Sequence, residues 1–445
     1  MASEFALGQS KQQLNNGEVH RWYRFVLAFP DHLVQEMLAR FGVTERDLIL
    51  DPFCGTGTTL VECKKLGFNA VGIDANPSSA FASRVKTEWN VDPNKLITAA
   101  DSILRQLERP LQILSDSRLP LFKKDGDVTK SLKAKLLEAS PAGQYIVASK
   151  MLERKWIGEI PFFKSLALQQ AIESAAIDAD YKDFLRLALV AILVENVSNV
   201  GFGPEIFVTK DQADCDVGGY FHDKVNQIAA DLRAVGQLPR AGNIRVFAGD
   251  ARVCADVLRE AGINRIDFVI TSPPYQTEKD YTRQTRLELA YLGLVQDAET
   301  LRRIKHQMIR SHSKGIYKSD IDGRSVAHIP EVKAIADELR RKTRDKTYGF
   351  AKLYPRIIEE YFGGIYRHLQ SLASVLRSGG ACAYVVGEQR TYLQTYTPTA
   401  RILGIIAEQQ DIGLKVEDIV TWRVRRGTTG SGEPIREEIL ILRKP

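Results

Sequence analysis

Short apolar runs and amphipathic stretches take turns in the first part of the chain. Leu33, Met37 and Leu38 have helical spacing. Leu48-Ile49-Leu50 reads as a buried strand running into Asp51-Pro52-Phe53-Cys54-Gly55-Thr56-Gly57-Thr58-Thr59. A helix is predicted from Thr58 to Leu66, stopped by Gly67, and a second strand spans Ala70 to Ile73 and ends at Asp74. Strand, helix and strand in that order make a βαβ unit, which opens a mostly parallel sheet. From Asp101 to Pro239 the pattern is mainly helical, with Tyr181 to Val197 the clearest amphipathic helix and turn signals at Asp125-Gly126 and Pro141-Ala142-Gly143. Sheet order resumes at Ile244 to Phe247, followed by Gly249-Asp250. The strand Ile266 to Ile270 then delivers Thr271-Ser272-Pro273-Pro274-Tyr275. A helix from Ile357 to Leu376 is ended by Gly379-Gly380, and Ala381 to Val386 is a strand. Val416 to Arg425 and Glu437 to Arg443 flank a glycine-rich hairpin at 427–432. The pattern predicts an α/β fold with a mostly parallel sheet and a closing antiparallel hairpin. Residues 1–100 and 240–445 make up the sheet domain, and 101–239 a helical insert.

Composition narrows the class without naming a function. The chain has 445 residues, 44% hydrophobic and 26% charged, the balance of a globular protein. The longest apolar stretch, Phe184 to Val194, is short and carries Arg186, so no membrane span is expected. Met1 to Phe5 lacks the basic region and apolar core of a secretory signal. Cys54, Cys63, Cys215, Cys254 and Cys382 are scattered with no C-x-x-C pair, and the seven histidines show no ligand spacing. Neither a disulfide framework nor a metal site is expected, and a reducing, cytoplasmic compartment fits. Net charge is +6. Leu301 to Lys346 holds thirteen Lys/Arg against six Asp/Glu, so the basic segment 301–346 carries +7 and the rest of the chain −1. Such a segment suits a polyanionic partner.

Two turns carry the candidate chemistry. Gly55 and Gly57 lie between a strand and a helix, where glycine lets the backbone turn tightly and approach a ligand. Asp74 follows nineteen positions after Gly55, where a carboxylate catches ribose hydroxyls. Leu60 stands where a dinucleotide fingerprint has its third glycine, and no Gly-Lys-Ser/Thr follows. The pair therefore suggests an adenosine-containing cofactor other than NAD, FAD or a nucleoside triphosphate.

The second turn, Ser272-Pro273-Pro274-Tyr275, stands at the carboxyl edge of the sheet. Two prolines fix φ twice and remove two donors, which leaves free carbonyl acceptors beside a hydroxyl and an aromatic ring. An exocyclic amino group on a base is a poor nucleophile because its lone pair is delocalised into the ring. Accepting its N–H bonds on Ser272 and the Pro273 carbonyl would pull the nitrogen toward tetrahedral geometry, while Tyr275 holds the flipped base.

Together the two turns resemble those of the amino-type DNA methyltransferases, which methylate N4 of cytosine or N6 of adenine from S-adenosylmethionine. The resemblance covers roughly residues 20–90 and 244–443. It implies a Rossmann-like methyltransferase fold, S-adenosylmethionine as cofactor and double-stranded DNA as partner, with room for a cognate restriction endonuclease. By it, Ser272, Pro273, Pro274 and Tyr275 are catalytic. Phe29, Pro30, Asp51, Phe53, Gly55, Gly57, Asp74 and Asp250 would bind the cofactor: Phe29-Pro30 closing over the methionine end, Asp51 near its amino group, Asp74 on the ribose and Asp250 on the adenine. Arg436 to Leu440 resembles the closing hairpin. Serine before the two prolines is typical of the N4-cytosine branch, and Asp or Asn of the N6-adenine branch. An N6-adenine enzyme, an RNA base methyltransferase and an inactive DNA-binding protein of this fold are the alternatives. Either the helical insert or the basic segment would read the DNA, and Asp280 to Arg283 stands close enough to the catalytic turn to line the base pocket.

Overall fold

A computed structural model describes residues 17–23, 29–116, 126–202, 206–239, 241–276, 279–346, 349–390, 392–426 and 433–445. Met1 to Phe5, Lys123, Lys124, Asp125, Gly203-Pro204 and the 427–432 hairpin loop lie outside them. The first helix, α1 (Asp31–Phe41), precedes strand β1 (Leu48–Asp51). Helix α2 (Thr58–Lys65) leads to β2 (Asn69–Asp74), and α3 (Pro77–Lys86) follows. The insert comprises α4 (Pro93–Asp116), α5 (Gly126–Glu138), α6 (Pro141–Ala148), α7 (Glu159–Ser174) and α8 (Ala179–Ile192). After them come a short hairpin, β3 (Val200–Phe202) and β4 (Ile206–Val208), and α9 (Val217–Val235). The sheet domain resumes with β5 (Ile244–Ala248), α10 (Cys254–Glu260) and β6 (Ile266–Thr271). Then follow α11 (Tyr281–Gln284), α12 (Arg286–Tyr291), α13 (Ala298–Gln307), α14 (Pro330–Lys342), α15 (Tyr354–Ala373), β7 (Leu376–Gly387), α16 (Thr399–Ala407), β8 (Lys415–Arg426) and β9 (Pro434–Arg443).

The main sheet has the order β5-β2-β1-β6-β7-β9-β8. Strands β5 to β7 in that row are parallel, and β9 enters antiparallel between β7 and β8. This is a Rossmann-like α/β fold with a closing antiparallel hairpin. Strand β1 pairs with β2 on one side and β6 on the other. The chain leaves β1 toward β2, while β6 belongs to the second half of the sheet. A crevice therefore opens at their carboxyl ends. One face is covered by α1 and α2, through Leu33, Val34, Leu38 and Leu60. The other is covered by α10, α15 and α16, through Leu258, Phe362, Leu369 and Leu403.

Helix α4 begins at Pro93, and the 101–239 stretch contains a hairpin that its helical pattern hides. Its α4, α7, α8 and α9 share one core with Val61 of α2, Val85 of α3 and Leu289 of α12. It is thus packed into the sheet domain and not tethered to it. The Tyr181–Val197 helix is α helical only to Ile192 and then opens into a π turn, Leu193–Val197, a local widening common where a helix meets a functional region.

A short turn, His20–Trp22, is locked onto the insert by Asp231 of α9. That carboxylate, 1% exposed, accepts from the Val19 amide at 3.1 Å, the Trp22 indole at 2.9 Å and the Arg21 guanidinium. Removing it strands three donors, two of them buried, each costing about 1–3 kcal/mol. We expect Asp231→Ala to lower the melting temperature and to expose the segment around residue 20 to limited proteolysis, with Asp231→Asn intermediate.

Candidate functional site

The crevice is built by two loops that leave neighbouring parallel strands. The first follows β1. Asp51, at its last position, is fully buried and accepts from the Phe53 amide at 3.2 Å. Gly57 has φ 86, and a Cβ there would sit 2.5 Å from the Ser83 hydroxyl oxygen, so glycine is required. Gly55 has φ 51 with open space where a side chain would point. Its amide donates to Asp74 Oδ2 at 2.8 Å, and the Asn76 amide donates to Asp74 Oδ1 at 2.8 Å, so the carboxylate closing β2 also braces the glycine loop. Beneath the loop Lys86, 2% exposed, donates to the Thr56 carbonyl at 2.8 Å. Burial, with Lys65 nearby, pushes its ammonium down to about 7.

The second loop follows β6. Thr271 donates its hydroxyl to Asp51 Oδ1 at 2.6 Å, which ties the two loops together. Ser272 donates its hydroxyl to the Val385 carbonyl of β7 at 2.9 Å. That bond uses the serine proton and leaves its oxygen lone pairs as acceptors. Tyr275 stands beside Gly387 at the end of β7, whose Cβ position is 3.4 Å from the tyrosine ring. The Tyr281 phenol is hydrogen-bonded to the Tyr275 backbone. Pro273 is buried and Pro274 partly so.

Electrostatics single out one atom. Asp51 Oδ2 is buried and has no hydrogen-bond partner among the described residues. Burial raises the Asp51 carboxyl to about 7, and burial likewise raises Asp74 to about 6. A buried carboxylate oxygen with no donor calls for a cation or N–H group.

The remaining expected residues are spread around this centre. Phe53 lies edge-on to His368 of α15, with ring centroids 4.9 Å apart. His368 bridges the Ala251 carbonyl at 2.9 Å and the Tyr384 hydroxyl at 2.7 Å, and burial lowers its pKa to about 4, so it is neutral. Phe29 packs on the α1–α2 face, and Pro30 caps α1. Asp250 follows β5, and its carboxylate is engaged by Arg252 at 2.7–3.0 Å. Arg252 also reaches Asp322 at 2.5 Å and the His306 carbonyl. Asp280 caps α11 and pairs with Lys305 of α13 at 2.6 Å. Against the burial that would raise it, the Lys305 charge brings its carboxyl down to about 2. Asp280 is thus committed to an internal ion pair. Ser198 and Asn199 are buried, and Ser198 lines a small cavity with Trp156, Arg283 and Glu288, between the helical stretch and the segment after the Ser272–Tyr275 turn.

Sequence reasoning left Lys86, Arg252 and His368 unassigned and gave Thr271 no partner. Thr271 and Arg252 stand within two positions of named residues. Lys86 and His368 carry no local signal.

Comparisons with known proteins match this geometry. The family model for N6/N4 methyltransferases, described as DNA methylase, matches residues 6–82, which include the glycine loop and Asp74. The Type II methyltransferase M.BsoBI of Geobacillus stearothermophilus is 26% identical over 98% of this chain and 87% of its own length. The Type II methyltransferase M.AvaI of Nostoc sp. is 23% identical over 99% of this chain and 88% of its own. The chain is thus similar to N6/N4 DNA methylases around its glycine loop and to Type II methyltransferases over nearly its whole length. A short match to the Type II methyltransferase M.MjaII of Methanocaldococcus jannaschii, 41% identical, covers 16% of this chain.

This similarity and the Rossmann-like fold imply S-adenosylmethionine as the methyl donor. The residues present fit it. The partnerless Asp51 Oδ2 suits an ammonium group, and Gly55 leaves the loop open to a ligand. Among the described residues no helix is long and apolar enough to cross a membrane.

These assignments make the Asp51 carboxyl measurable. In the cofactor-free protein it should titrate near pH 7, visible in infrared carboxylate difference spectra that Asp51→Asn abolishes. Thr271→Val removes a donor that favours the ionised form, so the titration should move upward.

Proposed function

We propose that this protein is an amino-type methyltransferase that acts on the exocyclic N4 of cytosine in double-stranded DNA, at a specific site, by base flipping and direct in-line attack. One observation carries the reading. Ser272 spends its proton on the Val385 carbonyl, so toward the crevice it offers only an acceptor. The N–H bonds of an amino group pair with such an oxygen and with the Pro273 carbonyl, and the nitrogen lone pair is freed from the ring. When bound, S-adenosylmethionine supplies a methyl group on a positively charged sulfur. The amino nitrogen, its N–H groups held by the Ser272 oxygen and the Pro273 carbonyl, would take that methyl group in place of the sulfur, which would be left as a neutral thioether, and would pass one proton to water. Pro273 and Pro274 hold the turn rigid, and Tyr275 stacks on the extruded base.

The first loop would hold the cofactor: Asp51 Oδ2 would take its ammonium group, Phe29 and Pro30 would close over that end, Gly55 and Gly57 would admit it, and Asp74 would hold the ribose. Phe53 would flank the adenine. Asp250 would serve the adenine amino group with whatever acceptor capacity Arg252 leaves it. The Type II relatives support a partnership with a restriction endonuclease, and an enzyme acting on DNA works in the cytoplasm, on the nucleoid in a bacterium.

Serine in place of Asp or Asn favours cytosine over adenine, and the test is direct. Labelled S-adenosylmethionine and unmethylated DNA, digested to nucleosides, should yield N4-methylcytosine. Label in N6-methyladenine would overturn the base assignment. Ser272→Ala should lower kcat about 100-fold, the scale of losing one hydrogen-bonding group in a transition state, with cofactor affinity unchanged. Because the ammonium pairs with ionised Asp51, cofactor affinity should be constant above pH 7. It should weaken about tenfold per unit below that, as the carboxyl takes up its proton. Calorimetric titration across pH 5.5–8.5 checks this.

A further inference from the structure

The charge of the 301–346 segment is not one uniform patch. Lys305 pairs with Asp280 and Arg310, 3% exposed, with Asp320. Arg340 is held by Asp337 and Glu359, and Lys342 by Glu338. Lys305 and Arg310 are internal, while Arg340 and Lys342 are paired at the surface. Of the cations that remain, Arg324 and Arg344 line a groove of about 670 Å³ between the 3₁₀ turn Asp322–Val326, α14 and the start of α15, where Lys352 joins them.

The acids of that groove are spent. Asp320 is on Arg310, Glu359 on Arg340, and Glu360 on Arg356 and the Gly323 amide. Arg324, Arg344 and Lys352 line the same groove, are exposed, and have no side-chain partner among the described residues. Two exposed apolar side chains stand beside them. Ile321 is on the wall, and Phe350 shares the turn Phe350–Leu353 with Lys352. At 54% and 57% they are the most exposed large apolar side chains among the described residues. A small-molecule pocket is mostly apolar with a few polar groups. Here most of the lining residues are charged, which suits contact with a phosphate backbone.

Its position fits the catalytic edge. Helix α15 runs back toward the start of β7, and His368 reaches Ala251 and Tyr384 at the level of the strand ends. Arg356 lies twelve residues earlier, so α15 rises roughly 18 Å above that edge at 1.5 Å per residue. The loop after β7 joins the two regions: Tyr392 packs on Tyr354 at 4.8 Å, and Lys342 donates to Thr395 at 2.9 Å. The same strand holds Ser272 through Val385.

We propose that this groove docks the sugar-phosphate backbone of duplex DNA beside the target base, with phosphates on Arg324, Arg344 and Lys352 and the exposed Phe350 against the sugar or base edge. The proposal rests on DNA being the substrate. It assigns backbone docking to the basic segment and not to the insert.

The experiment compares two triple variants of the full chain by fluorescence anisotropy on a labelled duplex from 50 to 200 mM salt. Arg324→Gln/Arg344→Gln/Lys352→Gln removes the groove cations. Lys130→Gln/Lys135→Gln/Arg154→Gln removes as many exposed cations from the insert. Each lost phosphate contact should flatten the slope of log affinity against log salt by about 0.9, so the groove variant should lose about 3 in slope. It should also bind at least tenfold more weakly at 100 mM, while S-adenosylmethionine affinity stays wild type and the insert variant keeps the wild-type slope. An unchanged slope in the groove variant overturns the proposal, and a flattened slope in the insert variant alone moves the dock to the insert. Methyl transfer by the wild type, measured on the same duplex, separates the two readings. If it methylates DNA while the groove variant binds normally, only the groove assignment falls. If it neither binds nor methylates DNA, both fall.

Discussion

The hydrogen bond from Thr271 to Asp51 joins the ends of β1 and β6, two strands that are neighbours in space and 220 positions apart in the chain. The parallel register of β1 with β6 sets the distance, because Ile49 faces Phe268 and Leu50 faces Val269. A shift of one residue would turn every side chain to the opposite face of the sheet. The bond would be lost, the glycine loop would part from the Ser272 turn, and no common crevice would remain. The hydrophobic layers on both faces of the sheet therefore fix the relative position of two chemically distinct loops. What those layers supply to function is register.

A second set of contacts carries that register outward. Arg252 joins Asp250 at the end of β5 to Asp322, and Arg367 of α15 meets the same Asp322 at 2.6 Å. The end of β5, where Asp250 stands, and the base of the basic groove thus share one ion-pair network, buried at Asp322 and open to water at Arg367. Buried charges persist when each has partners on several sides, and here the partners belong to β5, α15 and a turn of the basic segment. Helix α15 also holds Phe53 and the Ala251 carbonyl through neutral His368. The helix that forms one wall of the groove is in contact with the adenine side of the proposed cofactor site, with no flexible linker between them.

Much of this was legible in the sequence, for identifiable reasons. The glycine loop and the Ser-Pro-Pro-Tyr turn are local: glycine and proline state the backbone conformation where they stand. The βαβ order and the closing hairpin follow from short apolar runs, although β7 and β8 extend further than those runs because cross-strand partners prolong them. The hairpin β3–β4 was hidden because its strands have three residues each. Charge was the least legible feature. The basic count in 301–346 could not say that Lys305 and Arg310 are internal scaffolding or that Arg324 and Arg344 meet Lys352 at one groove, since pairing depends on elements far apart in the chain. Lys86 and His368 look like ordinary helix residues until the fold brings them under the glycine loop and against Phe53.

The glycine loop also shows how the fold keeps its site available. An acid and a base are both buried there, Asp51 and Lys86, each carrying a desolvation penalty that moves its pKa to about 7. For Asp51 the shift corresponds to roughly 4 kcal/mol. The direct way to relieve both would be to pair them. Instead Lys86 donates to the Thr56 carbonyl, and Asp51 takes a threonine hydroxyl and an amide, with Oδ2 left over. A Lys86–Asp51 pair would stabilise the empty protein and would occupy the oxygen that a ligand ammonium needs. Kept apart, the lysine fixes the shape of the loop and the aspartate retains an unmet demand for positive charge. A cationic methyl donor can meet that demand, and binding then recovers part of the penalty that folding alone does not.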